Sequence, residues 1–154
     1  PIVLSFDDGY YNNYCYAYPL LKKYNMKAVI SIIGLYTDKF SKADENNAAY
    51  SHITWKQLNE MTESGLVEIQ NHTYNMHEIG ERRGSAMKQN ETVTQYRKIL
   101  TDDLIRLQKE IKHCSHEGCR HITGDGSLFI RLFCNKKLNF CYKITLKMLK
   151  GVIE

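Results

Sequence analysis

The chain is 154 residues long, 43% hydrophobic and 25% charged, ordinary values for one globular domain with its own core, but small for a complete α/β barrel. No apolar run approaches the ~20 residues of a membrane-spanning helix, so a membrane anchor is expected only in a segment upstream. The chain opens on a strand-like run without an initiator Met and reads as a piece of a longer one. Residues 1–112 carry 14 basic and 14 acidic side chains and residues 113–154 carry 7 and 3, so the formal +4 lies wholly in the tail. The neutral body lacks the basic face that a nucleic-acid partner requires.

Pro1–Ser5 is a short apolar run, as expected of a strand buried on both faces, and it ends at the turn-like string Asp7-Asp8-Gly9. Asn12 or Asn13 can cap a helix running to about Tyr24, with Tyr16, Leu20 and Tyr24 at helical spacing and Pro19 as a kink. Lys27–Ile33 is apolar and β-branched, which predicts a second buried strand. Residues 34–52 are polar and Asn-rich and predict a surface excursion.

Thr54 and Gln57 fit a capping box for a helix ending near Ser64-Gly65, where Gly supplies the left-handed position. Leu66–Gln70 predicts a third strand, followed directly by Asn71-His72-Thr73-Tyr74-Asn75-Met76-His77. Residues 78–90 predict a loop. From Glu91 to Lys112, Val93, Tyr96, Leu100, Leu104, Leu107 and Ile111 recur at three or four, the pattern of an amphipathic helix. Tyr142–Ile153, with Ile144, Met148 and Val152 four apart, predicts a short final helix.

Alternating strands and helices imply a parallel sheet with right-handed crossovers, whose chemistry gathers at the carboxyl ends of the strands. Asp7-Asp8 and His72–His77 both follow a predicted strand, which places them on the same face although some 65 positions separate them. Successive residues leaving a strand point in different directions. One carboxylate can therefore bind a metal while its neighbour remains a base. An Asp with two His suits a borderline divalent ion such as Zn²⁺, which polarises a carbonyl and acidifies water.

These strings resemble a known family. Ser5-Phe6-Asp7-Asp8-Gly9 resembles the TFDDG first motif of the polysaccharide deacetylases, also called the NodB-homology or carbohydrate esterase 4 family. Asn71–His77 resembles its second motif, usually His-Ser/Thr-x-x-His. Tyr18–Tyr24, Lys27-Ala28, Trp55–Leu58 and Ser64-Gly65 agree with the connecting text, so the resemblance covers about residues 1–112. The common pattern places its two histidines four apart, where Met76 stands here. His77, five from His72, is similar to the HTYxxH string of the poly-β-1,6-N-acetylglucosamine deacetylase branch.

The resemblance implies an α/β fold, part of a distorted (β/α) barrel with its C-terminal part incomplete. It implies Asp7 as base, with Asp8, His72 and His77 holding a divalent metal, zinc first and cobalt or nickel as alternatives. The implied substrate is an acetylated glycan, from which N-acetyl groups are hydrolysed; the implied location is extracellular or in the cell envelope. Tyr10, Tyr11 and Tyr74 flank the motifs and are candidates to stack on sugar rings, with packing as the plainer role for each. Trp55 reads as a core residue at a helix start.

Later family motifs contribute an oxyanion donor through Pro-Tyr-Gly and a general-acid histidine in Leu-x-His. Pro1 and Pro19 are the only prolines and no histidine follows His121, so neither motif stands after Lys112. Residues 113–154 therefore read as a divergent, basic, Cys-rich tail, through frameshift, truncation or misjoined coding sequence. Its His113–His121 run offers zinc ligands but no paired C-x-x-C spacing. Two functions stay open: an active N-deacetylase, and a catalytically defective metal- or glycan-binding remnant.

Overall fold

The computed structural model describes residues 4–114 and the backbone of residues 129–132 and 142–145. One sheet carries five strands in the order of the chain: β1 Leu4–Phe6, β2 Ala28–Ile32, β3 Val67–Asn71, β4 Phe129–Leu132 and β5 Tyr142–Thr145. Neighbours from β1 to β4 are parallel, and β5 runs antiparallel to β4. Consecutive parallel strands joined by helices are successive staves of a partial barrel. Four α-helices are described: α1 Tyr18–Tyr24, α2 Gly34–Ala43, α3 Trp55–Glu63 and α4 Val93–Cys114.

β2 lies between β1 and β3, and Ala28, Ile30, Ser31 and Ile32 are all buried. That double coverage explains why its sequence reads as a continuous apolar run rather than an alternating one. The core joins Ile30 and Ile32 of β2 to Tyr18 and Leu21 of α1, Leu58 and Met61 of α3, and Leu107 and Ile111 of α4. On α4 the buried positions Leu104, Leu107 and Ile111 fall on the predicted stripe. The Thr54–Gln57 box forms as expected: Gln57 N–H donates to Thr54 Oγ1 at 3.3 Å, and Thr54 N–H donates to Gln57 Oε1 at 3.0 Å. Thr92 and Gln95 exchange the same reciprocal pair at the start of α4. No helix among the described residues is long and apolar enough to cross a membrane.

The structure corrects five expectations. β1 is not buried on both faces: it is the first strand of the sheet, with Leu4 and Phe6 half-buried and Ser5 exposed. Residues 34–43 are not a surface excursion but helix α2, with Thr37 and Phe40 buried; the polar residues Asp38, Lys39, Ser41 and Lys42 mask its inward side. Asn12 stands at a cap position but makes no side-chain cap bond. Pro19 does not interrupt its helix: a π-turn at Asn13–Ala17 precedes it, and Pro19 falls in the first turn of α1, where a missing N–H costs least. Tyr142–Thr145 is strand β5, not the start of a helix, and β4 pairs with β3 through Asn71 and Ile130. The rest of the expected final helix and the run from Ser115 to His121 lie outside the described residues.

Candidate metal centre

β1 and β3 flank β2, so their axes lie roughly 10 Å apart, two inter-strand spacings. Asp8 leaves the carboxyl end of β1 and His72 leaves the carboxyl end of β3, both reaching across the end of β2. Asp8 adopts φ +69° and Gly9 φ +71°, a left-handed pair that turns the chain sharply over the sheet edge. Gly9 is also a place of close approach, since a Cβ there would lie 2.8 Å from Ile32 Cγ2. After the turn the chain pairs with residues 51–53: Tyr11 N–H donates to the Ser51 carbonyl, and Ile53 N–H to the Gly9 carbonyl, each at 2.8 Å.

Both imidazoles converge on one oxygen of Asp8. His72 Nε2 lies 3.3 Å and His77 Nε2 3.1 Å from Asp8 Oδ1. The three donor atoms lie within 4.8 Å of one another, and this is the group among the described residues that can hold a metal ion. An ion with tetrahedral bonds of 2.0–2.2 Å sets its ligand atoms roughly 3.3–3.6 Å apart, close to the 3.3 and 3.1 Å that separate the two imidazole nitrogens from Asp8 Oδ1. Two nitrogens and one carboxylate oxygen are also a donor set that zinc accepts. Hydrogen bonds from His72 and then His77 hold the Asp8 carboxyl well below the ordinary carboxylate range, so it is ionised at neutral pH. Asp7, the residue before Asp8, is exposed.

The histidine loop is held from three sides. His72 N–H donates to the Ile32 carbonyl at 3.0 Å, continuing the β2–β3 ladder past the end of β3. The first turn of α2 supplies two otherwise unused amides, Gly34 to the Thr73 carbonyl at 3.2 Å and Leu35 to the Tyr74 carbonyl at 2.9 Å. On the far side, the Asp103 carboxylate of α4 accepts the amides of Tyr74 and Asn75, each at 2.7 Å. Burial raises the Asp103 pKa against the opposing effect of those two amides.

The other named positions separate clearly. Met76 is buried in the core, while His77 reaches Asp8. Tyr10, 38% exposed, and Tyr11 lie beside the cluster on the Gly9–Tyr11 segment. Tyr74 does not line an open groove: its ring is buried under the Arg106 guanidinium, 3.5 Å from the ring centre, and its hydroxyl donates to Asp38 Oδ2 at 2.8 Å. Burial and that carboxylate push its phenol up to about 12. Trp55 begins α3, packs against the core and donates its indole N–H to Asp38 Oδ1 at 2.8 Å. Cys114 closes α4 against α3, its thiol donating to Asn59 Oδ1 at 2.6 Å.

His52 had no signal in the sequence. It is 5% exposed and enclosed by the rings of Tyr10, Tyr36 and Phe40, with centroids 4.5, 4.5 and 5.5 Å away. Neither ring nitrogen has a hydrogen-bond partner of ordinary geometry. Burial holds its imidazole down to about 4, the nearby Asp8 charge and the Tyr50 backbone opposing that effect only in part. His52 is therefore neutral at pH 7.

The family model described as Polysaccharide deacetylase matches residues 1–122. The chain belongs to the polysaccharide deacetylase family. A poly-β-1,6-N-acetyl-D-glucosamine N-deacetylase of Staphylococcus aureus is 33% identical over 116 residues, covering 71% of this chain and 38% of that protein. The deacetylase domain of BpsB from Bordetella bronchiseptica superposes with TM-score 0.62 at 30% identity, over 78% of this chain and 53% of that one. A de-N-acetylase from Aggregatibacter actinomycetemcomitans gives TM-score 0.63 at 32% identity, over 77% and 52%. The chain thus spans about half, or less, of the length of these polysaccharide deacetylases. The family match runs ten residues past Lys112, beyond the extent that the sequence motifs alone supported.

Proposed function

We propose that the chain is the N-terminal part of a metal-dependent hydrolase that removes N-acetyl groups from a polysaccharide containing N-acetylglucosamine. The single observation that carries the reading is the convergence of His72 and His77 on one oxygen of Asp8, beside a second, adjacent carboxylate. Asp8, His72 and His77 would hold a divalent ion, zinc in the first place and cobalt or nickel as substitutes. Such an ion, when bound, supplies a Lewis acid for the acetamide carbonyl and acidifies water.

The protein groups divide the remaining work. Asp8 is ionised and its oxygen is already oriented by two imidazoles, so it serves as a ligand rather than a proton carrier. Asp7 leaves the strand in a different direction, exposed to solvent, and takes the proton of the attacking water as general base. Water adds to the acetamide carbon, the proton taken up by Asp7 is passed on to the leaving nitrogen as the C–N bond breaks, and the products are acetate and a free amine on the sugar. Tyr10 and Tyr11 offer aromatic faces for sugar rings at the mouth of the site; Tyr74 is not among them, because it is buried. The glycan named for the Staphylococcus relative, poly-β-1,6-N-acetyl-D-glucosamine, is the first substrate to test, and a substrate of that class would be met outside the cell or in its envelope.

The alternative is a metal- or glycan-binding remnant without turnover. Acetate release from N-acetylglucosamine oligomers, measured with zinc added, separates the two. Release that disappears in Asp7→Asn supports the enzyme; glycan binding without release supports the remnant.

A further inference from the structure

We propose that Asp103 is a positioning residue that fixes the five-residue separation of His72 and His77 by binding the consecutive backbone amides of Tyr74 and Asn75. The inference rests on the reading of Asp8, His72 and His77 as an ion site and extends that site to helix α4, where Asp103 stands 28 residues beyond Asn75.

The loop between the two histidines needs an outside restraint. Thr73 has φ +77°, in the left-handed region that a β-branched residue avoids. Such a conformation costs about 1–3 kcal/mol and persists only where its surroundings over-determine it. Asn71 holds the near end: its Oδ1 accepts the Thr73 amide at 2.9 Å, while its Nδ2 donates to the Leu104 carbonyl of α4 at 2.8 Å. Asp103, the neighbour of Leu104, takes the next two amides, one on each carboxylate oxygen. Three successive N–H groups are thereby registered against one turn of α4. Both amides bound by Asp103 lie between the two histidines, so the clamp decides where the loop delivers His77.

The two ligands depend on it unequally. His72 is tied to β2 by its own amide and stays in place without Asp103. His77 has Asn75 and Met76 as its link to the clamp and shifts when the clamp opens. An alanine at position 103 accepts neither amide. An asparagine, of the same size, offers one acceptor oxygen and turns an N–H₂ towards the other amide.

The test is zinc affinity of the metal-stripped full chain, measured by chelator competition, with cobalt absorption as the spectroscopic companion. The set is wild type, Asp103→Asn, Asp103→Ala, His77→Ala, the double variant Asp103→Ala/His77→Ala, and Asp102→Ala as control. Asp102 is exposed and pairs with Lys98 at 2.7 Å on the solvent side of α4. Groups that orient ligands in this way are worth roughly 10–100-fold in metal affinity. Asp103→Ala is expected to lose that much and to alter the cobalt spectrum, Asp103→Asn to lose less, and Asp102→Ala to match wild type. On the His77→Ala background the Asp103→Ala change should cost less than about twofold, because the ligand it positions is already gone.

Asp103→Asn keeps the volume of the side chain and carries the comparison should the alanine variant fail to fold. Wild-type affinity and spectrum in both Asp103 variants overturn the inference while leaving the ion site intact. An equal loss with and without His77 overturns it as well, since general loosening of the fold would act on both backgrounds. A wild-type chain that takes up no zinc overturns the ion site and this inference together.

Discussion

Gly34 is where the fold and the site press hardest on each other, and Gly34→Ala is the most demanding test of the packing described above. The residue opens α2, and its amide donates to the Thr73 carbonyl. A Cβ at this position would lie 2.6 Å from Tyr74 Cδ2 and 2.8 Å from Leu107 Cδ1. Carbon atoms pack best at 3.5–4.0 Å, so each neighbour must retreat by about 1 Å. Leu107 can turn its methyl away, although it is fully buried. The Tyr74 ring has less room, with Arg106 stacked on it and its hydroxyl donating to Asp38. Overpacking of this kind typically costs about 1–3 kcal/mol. Because the rigid neighbour is the limiting one, the expected loss is about 2 kcal/mol, or roughly 4–8 °C of melting temperature for a domain of this size. Urea unfolding of the metal-stripped protein, followed by circular dichroism, measures it. The displaced Tyr74 also carries the histidine loop, so zinc affinity should fall with stability. A stability change under about 0.5 kcal/mol would show that the contact between α2 and the loop is not as tight as described.

Further outcomes follow from individual residues. Asp7→Asn should retain the zinc content of wild type while acetate release drops by about 10²–10⁴, and an equal rate would remove Asp7 as the base. His52→Phe replaces two buried nitrogens that lack a hydrogen bond of ordinary geometry with apolar edge among three aromatic rings, and should leave stability at pH 7 unchanged or raise it by about 1 kcal/mol. The same variant tests the pH dependence. His52 falls from 6.5 in the unfolded chain to about 4 in the folded one, so the unfolded state binds the extra proton between these values. Its contribution is complete above pH 6.5 and is lost as pH falls towards 4, up to about 3 kcal/mol. Urea midpoints of the metal-stripped protein at several pH values should decline less steeply in His52→Phe, and parallel curves would contradict the burial of this ring.

Much of the fold was legible because the signals were local. β2 appears as an apolar β-branched run and β3 as the short Leu66–Gln70 segment, the Thr54–Gln57 box marks the start of α3, and α4 carries a clear stripe at Leu104, Leu107 and Ile111. The two polar clusters were placed by topology, since each follows a parallel strand and both strands flank β2. The choice of His77 over Met76 came from resemblance, and the structure puts Met76 in the core and His77 against Asp8. What stayed hidden depends on contacts distant in sequence. α2 alternates buried and charged residues too irregularly to stand out, and its amides matter only once Thr73 and Tyr74 lie beside them. His52 acquires its aromatic enclosure when residues 9–11 pair with residues 51–53. Asp103 looks like any charged helix residue until the histidine loop folds onto it. Tyr74, by contrast, looked exposed because it sits in a polar string, and only the arrival of Arg106 and Asp38 buries it.

The central claim is that Asp8, His72 and His77 together hold one divalent ion. Metal analysis of the purified full chain after zinc loading and dialysis, beside Asp8→Ala and His72→Ala, tests it directly. The account predicts about one zinc per wild-type chain and near-complete loss in both variants, with each still folded by circular dichroism. Unchanged zinc content in both variants would contradict it.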